Sequence, residues 1–212
     1  MTRALYLGSM RVDLTVRDMV VVPIAGAVLA RAIAAAITGA GAPEPASIGL
    51  ILSNDAELAQ LNTAHFGKTR PTDVLSFPLL PPGIFPAHPG APDRGAGAAF
   101  DFRLPPGRRP HLGDIVISVE RAIEQAGAGR GGQTGDVRWS AVDELRLLAI
   151  HGALHICGWD HAVPAEESAM RAFENRLLHI GSFDRSTAWP SGPSSSASSS
   201  ITASVVATRS KP

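Results

Sequence analysis

Three of the chain's seven histidines fall inside eleven residues, His151-Gly152-Ala153-Leu154-His155-Ile156-Cys157-Gly158-Trp159-Asp160-His161, and this segment dictates its own local geometry. Residues four apart on a helix stand one above the other, so His151 and His155 aim both imidazoles at one point. Gly158 is the natural residue for a left-handed helix end, after which the chain turns back and carries His161 toward that point. The spacing thus predicts a metal site of three nitrogen ligands, His151, His155 and His161, at the end of a core helix. Three protein ligands leave the fourth tetrahedral position open, the arrangement of a catalytic rather than a structural zinc. Neutral imidazoles leave the ion's double charge uncompensated, so such a centre acidifies water and neutralises charge on an attacked oxygen. It suits hydrolysis, of an anionic substrate especially, and makes His151 a candidate catalytic residue as well as a ligand.

Neighbouring residues set limits on that chemistry. Cys157 lies two residues from His155, on another helix face, and reads as a small buried apolar residue. Asp160 reads either as a loop-solvating group or as an acceptor that holds an imidazole ring. The same histidine spacing occurs in the long zinc-protease signature, where a glutamate after the first histidine is the general base. That position here is Gly152, which cannot take a proton. Glu144, two turns upstream, reads as a helix-surface charge.

Composition narrows the class further. With 212 residues, 45% of them hydrophobic, the chain can build one ordinary domain with a real core. Cys157 is the single cysteine, so it has no disulfide partner within the chain, and a reducing, cytoplasmic compartment is the simpler expectation. Arg185, Arg209 and Lys211 lie in the tail, which leaves residues 1–184 with 16 basic against 19 acidic side chains. A broadly basic nucleic-acid surface is therefore not expected, and an anionic substrate needs a local positive site. The most apolar stretch, Val20 to Ala42, is interrupted by Pro23 and Arg31, and an arginine at a bilayer centre costs about 2.5–3.5 kcal/mol. It reads as a buried alanine-rich helix, not a membrane span.

Along the chain, residues 1–10 read as a poorly ordered leader, followed by a metallohydrolase domain over 11–184. Arg11 to Val16 alternates as a half-buried strand. Pro23 opens a helix running to about Thr38. Ala46–Ser53 reads as a second strand, and Ser53 or Asn54 caps a helix that turns Leu58, Leu61 and Ala64 inward. Thr72–Phe77 and Gly113–Ser118 read as further strands, with a Gly- and Pro-rich surface insertion at about 81–110 between them. Helices are expected at about Val119–Ala128, Trp139–Cys157 and Pro164–Ile180. The Ser-rich tail, 185–212, has too little apolar surface to offset its ordering entropy and is expected to be disordered. The sum is an α+β domain with a small mixed four-stranded sheet packed against about five helices.

At this point the residues resemble one family closely, the YbeY-type metal-dependent endoribonucleases of ribosomal RNA maturation. His151–His161 is similar to that family's His-Gly-x-Leu-His-x-x-Gly-x-Asp-His signature at every fixed position. Pro71-Thr72-Asp73-Val74-Leu75-Ser76-Phe77-Pro78 resembles its central strand, and Leu112-Gly113-Asp114-Ile115-Val116-Ile117-Ser118 the strand that follows. With Leu61-Asn62 and Glu144-Leu145, the likeness covers roughly 11–180. It implies one zinc-type ion and action on single-stranded RNA. The substrate would be a ribosomal RNA precursor at the small subunit, and the chain would associate with ribosomes. Asp73, Ser76 and Asp114 match family motifs, and Asp114 is carried as a candidate catalytic residue. Phe66 stands where the family usually has an arginine, just before Gly67-Lys68, so Arg70 or Lys68 becomes a candidate for phosphate contact. Arg103, Arg108 and Arg109 are the insertion's cations, and Phe66, Phe77 and Trp159 are candidate base-stacking rings. Two other readings use the same ligands: a zinc metallopeptidase-like hydrolase, and a non-catalytic ribosome assembly factor with a structural metal.

Overall fold

The computed structural model describes residues 2–91, 108–128 and 139–180. Among them, apolar alternation produces strands β1 (Thr2–Leu7) and β2 (Met10–Val16), and near-continuous apolar runs produce β3 (Ala46–Ser53), β4 (Val74–Pro78) and β5 (His111–Ser118). Helices α1 (Gly26–Gly39), α2 (Asp55–Phe66), α3 (Val119–Gly127), α4 (Ala141–Ile156) and α5 (Pro164–Ile180) separate and follow them. The strands form one mixed sheet in the order β1-β2-β3-β5-β4, with β2-β3 and β3-β5 parallel and both edge pairs antiparallel. No helix among the described residues is long and apolar enough to cross a membrane; Arg31 lies within α1, whose Leu29, Ile33, Ala36 and Ile37 are buried.

The sheet has five strands, not four, and the fifth comes from the supposed leader. Leu5 and Leu7 alternate with Tyr6 and pack on the core, while a Gly8-Ser9 turn with φ of 61° at Gly8 closes Leu7 onto Met10. Gly-Ser between two alternating runs is a hairpin signal. A second correction concerns α2. Asn54 caps it by accepting the Glu57 N–H at 3.0 Å, and Leu58 is buried, but Leu61 is only half-buried and Ala64 is exposed. The helix covers a small second cluster of Leu58, Leu75 and Val116, which needs fewer inward positions. The insertion's described part is more than a surface excursion, since Phe85 joins the core and His88 stacks on Trp159 with centroids 4.1 Å apart. Residues 92–107 and the tail 185–212 lie outside the described residues.

Helix α4 is the spine of the domain. Ser140 and Asp143 form a capping box at its start, which satisfies two of the orphan N–H groups there. From Glu144 to Ile156 every residue is buried, because α1, α3 and α5 pack around the helix and β4 and β5 lie beneath it. Gly152 packs directly on the sheet. A Cβ there would stand 2.7 Å from Ile115 Cγ2 and 3.2 Å from Ser76 Oγ, and Ser76 Oγ donates to the Gly152 carbonyl at 3.1 Å.

Candidate metal centre

The end of α4 is built as the sequence predicts. Gly158 has φ of 83°, its N–H donates to the His155 carbonyl at 3.0 Å, and the Trp159 N–H reaches back to the Leu154 carbonyl at 3.0 Å. These two bonds define a Schellman motif, which satisfies carbonyls the helix end would otherwise leave unpaired. The turn has two effects on the histidines. It presents the Trp159 carbonyl to His155 Nδ1 at 2.8 Å, and it swings His161 back over the helix, its ring centroid 5.1 Å from that of His155 and 5.7 Å from that of His151.

Hydrogen bonding fixes which ring nitrogens face one another. His151 Nδ1 lies 2.7 Å from Glu174 Oε1. A carboxylate only accepts, so Nδ1 carries the proton and Nε2 keeps its lone pair. The Trp159 carbonyl sets the same tautomer on His155. The two Nε2 atoms then face each other 3.0 Å apart, and His161 Nε2 is buried with no hydrogen-bond partner. Two facing lone pairs and an orphaned nitrogen need a common cation. Nitrogens about 2.05 Å from a tetrahedral ion stand about 3.3 Å apart, close to the observed separation. One ligand atom from each of His151, His155 and His161 lies within 4.8 Å of the others, so the residues present fit a metal ion with three protein donors. Burial, with repulsion from His151 and His161, holds His155 well below the ordinary histidine range, which keeps its ring neutral as a ligand must be.

A cleft beside the rings is lined by Asp73, Gln125, Glu144, Glu174 and Arg171 together with His151 and His161. Several of these differ from the sequence reading. Glu144 is no surface charge: it is 3% exposed and its Oε2 accepts the Trp139 indole N–H at 2.6 Å. Asp73 is committed to structure, accepting the Val74 N–H at 2.9 Å and the Gln125 amide at 3.0 Å. Asp160 takes the loop role, not the ring-holding one, since its Oδ1 accepts the His161 N–H at 2.8 Å. The ring holder is Glu174. Nothing in the histidine segment announces it, but α5 buries Glu166, Met170, Phe173, Glu174, Leu177 and Leu178, and carboxylates inside such an apolar stripe are the readable sign.

Other candidates lie elsewhere. Asp114 pairs with Gly49 and Phe77 across the sheet. Its neighbours Gly113 and Ile115 touch Ile156 and stand under Gly152 of α4 respectively. Side chains alternate across a strand, so Asp114 occupies the far face, where it meets His111 Nε2 at 3.1 Å. Arg70 is exposed, does not line the cleft, and its carbonyl accepts from Asn62 Nδ2 at 2.7 Å; Lys68 is likewise exposed. Phe66 stacks on Phe77, centroids 6.1 Å apart, in the small α2 cluster. Trp159 is 7% exposed and is packed between His88 and Phe173, which removes it as a base-stacking surface. Cys157 is buried and its thiol is pushed up to about 12 by desolvation, consistent with a packing role.

The fold and site together define a class, a small α+β domain carrying a three-histidine group that can hold a metal ion at the end of its central helix. Comparison with known families names it more closely: residues 23–181 match the family described as Endoribonuclease YbeY, and the chain belongs to that family. An Endoribonuclease YbeY from an Exiguobacterium species is 37% identical over 138 residues, covering 65% of this chain and 74% of that one. Another from Moorella thermoacetica is 37% identical over 150 residues, 71% of this chain and 82% of its own. A solution structure of a Thermotoga maritima protein matches with a TM-score of 0.45 at 17% identity, over 83% of this chain and 93% of that one.

Proposed function

We propose that the chain is a zinc-dependent endoribonuclease that cuts single-stranded RNA during ribosomal RNA maturation, associated with the ribosome or its small subunit in the cytoplasm. The observation that carries this reading is the convergence of one ring nitrogen from each of His151, His155 and His161, two of the rings being fixed in tautomer by Glu174 and the Trp159 carbonyl. Membership of the family supports the RNA substrate. When bound, the dication supplies a Lewis acid for the scissile phosphate and for attacking water.

The chain's own residues do the rest. His151, His155 and His161 would hold the ion as neutral ligands, which would leave its positive charge for an anionic phosphodiester. Glu174 keeps the His151 ring in register, and the Schellman turn keeps His155 and His161 in theirs. The peptidase reading loses its base on structural grounds. The residue after the first histidine points into the sheet, where even one added carbon would crowd Ile115, so a glutamate there would have no path to the ion.

The test is to load purified protein with zinc and offer an unstructured RNA and a casein-like peptide, with His155→Ala in parallel. RNA cleavage that the variant loses is the expected result. Peptide cleavage would support the peptidase. Neither activity, together with lowered thermal stability in the variant, would favour an assembly factor whose metal is structural.

A further inference from the structure

We infer that Arg171 is the residue that grips a backbone phosphate of the RNA beside the metal centre; this rests on the nuclease reading above. The cleft presents a charge problem. Asp73, Glu144, Glu167 and Glu174 all line it, and among the described lining residues Arg171 is the one cation. A phosphate that shares this cleft with four carboxylates needs a fixed positive group, and a guanidinium matches a phosphate's paired oxygens.

The helix places that group correctly. Glu167, Met170, Arg171 and Glu174 follow the i, i+3, i+4, i+7 spacing of one face, and all four line the cleft. Arg171 is therefore about one turn from Glu174, which holds His151, and shares the cavity with His151 and His161. Its NH2 is paired with Glu167 Oε1, four residues earlier, and the two side chains are 34% and 41% exposed. Exposed pairs of this kind are weak, so a phosphate can take the carboxylate's place. Three arginines of the neighbouring helices and of α5 itself are committed differently. Arg121 is bonded to both Asp55 oxygens, Arg146 donates to the buried Leu178 carbonyl, and Arg176 lies over Phe173. A contact to phosphate reads no base, so Arg171 should set affinity and position without sequence preference.

The experiment uses the full zinc-loaded chain, a short unstructured oligouridine, and the variants Arg171→Gln and Arg171→Lys. Gln keeps the helix and most of the stem; metal content and thermal melting confirm that each variant is folded and loaded. Oligouridine binding is followed by fluorescence anisotropy across a salt titration, and cleavage by initial rates. Loss of one phosphate contact lowers the slope of log K against log salt by about 0.7. Expected with it are a rise in KM of about tenfold, the loss of one charge-assisted hydrogen bond, and substantial recovery in Arg171→Lys. Binding and cleavage by the wild type with an unchanged salt slope in Arg171→Gln would overturn the assignment and leave the nuclease intact. A wild type that neither binds nor cuts the RNA would overturn both.

Discussion

Replacing Glu174 by glutamine keeps the side chain's shape and removes its charge at the one contact that fixes the His151 ring. The Nδ1···Oε1 distance is 2.7 Å, and the two side chains are only 8% and 7% exposed, so solvent does little to screen the bond. A hydrogen bond to a charged acceptor contributes about 1.5–3 kcal/mol, against about 0.5–1.5 kcal/mol for a neutral pair. The difference of about 1.4 kcal/mol is a factor of about ten in zinc affinity. Glu174→Ala leaves the buried Nδ1–H without an acceptor as well, and its loss should approach the hundredfold end of the range for residues that orient metal ligands.

The metal-free protein makes the same bond and should lose less. A buried carboxylate is costly to desolvate, and relief of that cost offsets part of what the weaker bond gives up. Competition against a chromophoric zinc chelator gives the affinities, and thermal melts with and without chelator give the stabilities. The expected pattern for Glu174→Gln is about tenfold weaker zinc binding, with an apo melting temperature only slightly below wild type. Zinc affinity equal to wild type in Glu174→Gln would refute the claim that Glu174 acts through the His151 ring.

Gly152→Ala should destabilise the fold in chemical denaturation: overpacking against Ile115 at 2.7 Å costs about 1–3 kcal/mol, more than the roughly 1 kcal/mol alanine gains in helix propensity. A variant more stable than wild type would show that α4 can lift from the sheet. Cys157, with its thiol pushed up to about 12, should resist iodoacetamide in the native protein at about pH 8.5, where an ordinary thiol is half ionised, and label rapidly in denaturant; fast native labelling would contradict its burial. In the metal-free protein, His155 is held well below the usual 6.5, so the unfolded chain binds its proton first. Stability is then full above about pH 6.5 and falls as pH drops toward the folded value. A His155→Gln apo variant should lose much of that acid sensitivity, and an unchanged pH profile would count against the assignment.

Regular periodicity made most of the fold legible. Ala46–Ser53 and Pro164–Ile180 emerge with the bounds their apolar runs imply, and the His151–His161 segment folds as its spacing requires, since helix phase and a left-handed glycine are local properties. What the sequence concealed depends on partners distant in the chain. Glu174 is 23 residues from His151 and Glu144 owes its burial to Trp139 and to the helices around α4, so neither reveals its environment by local pattern. Asp114 misled for a related reason. Its motif fixes the strand but not which face of the sheet meets α4, and that parity is set by Gly113 and Ile115 packing under Ile156 and Gly152. The strand at Thr2–Leu7 gives a faint apolar pattern because its outer residues are exposed and only Leu5 and Leu7 reach the core.

The contact between α4 and the sheet also explains how one ligand spacing serves different chemistries. A helix bearing two histidines four apart has only a few residues between them, and the position after the first must either face the substrate or face the protein. In this fold α4 is surrounded, and at Gly152 it packs directly on Ile115, Val74 and Ser76. The helix can be buried this deeply only if that position has no side chain, and a position without a side chain cannot transfer a proton. Acid–base groups must therefore come from other segments that border the cleft, from the residue before β4, from the start of α4 and from α5. Those segments contribute Asp73, Glu144 and Glu167, and the first two are already bonded to Gln125 and Trp139. The balance of charge in the cleft, with its arginine on α5, is thus a consequence of how closely the central helix is packed.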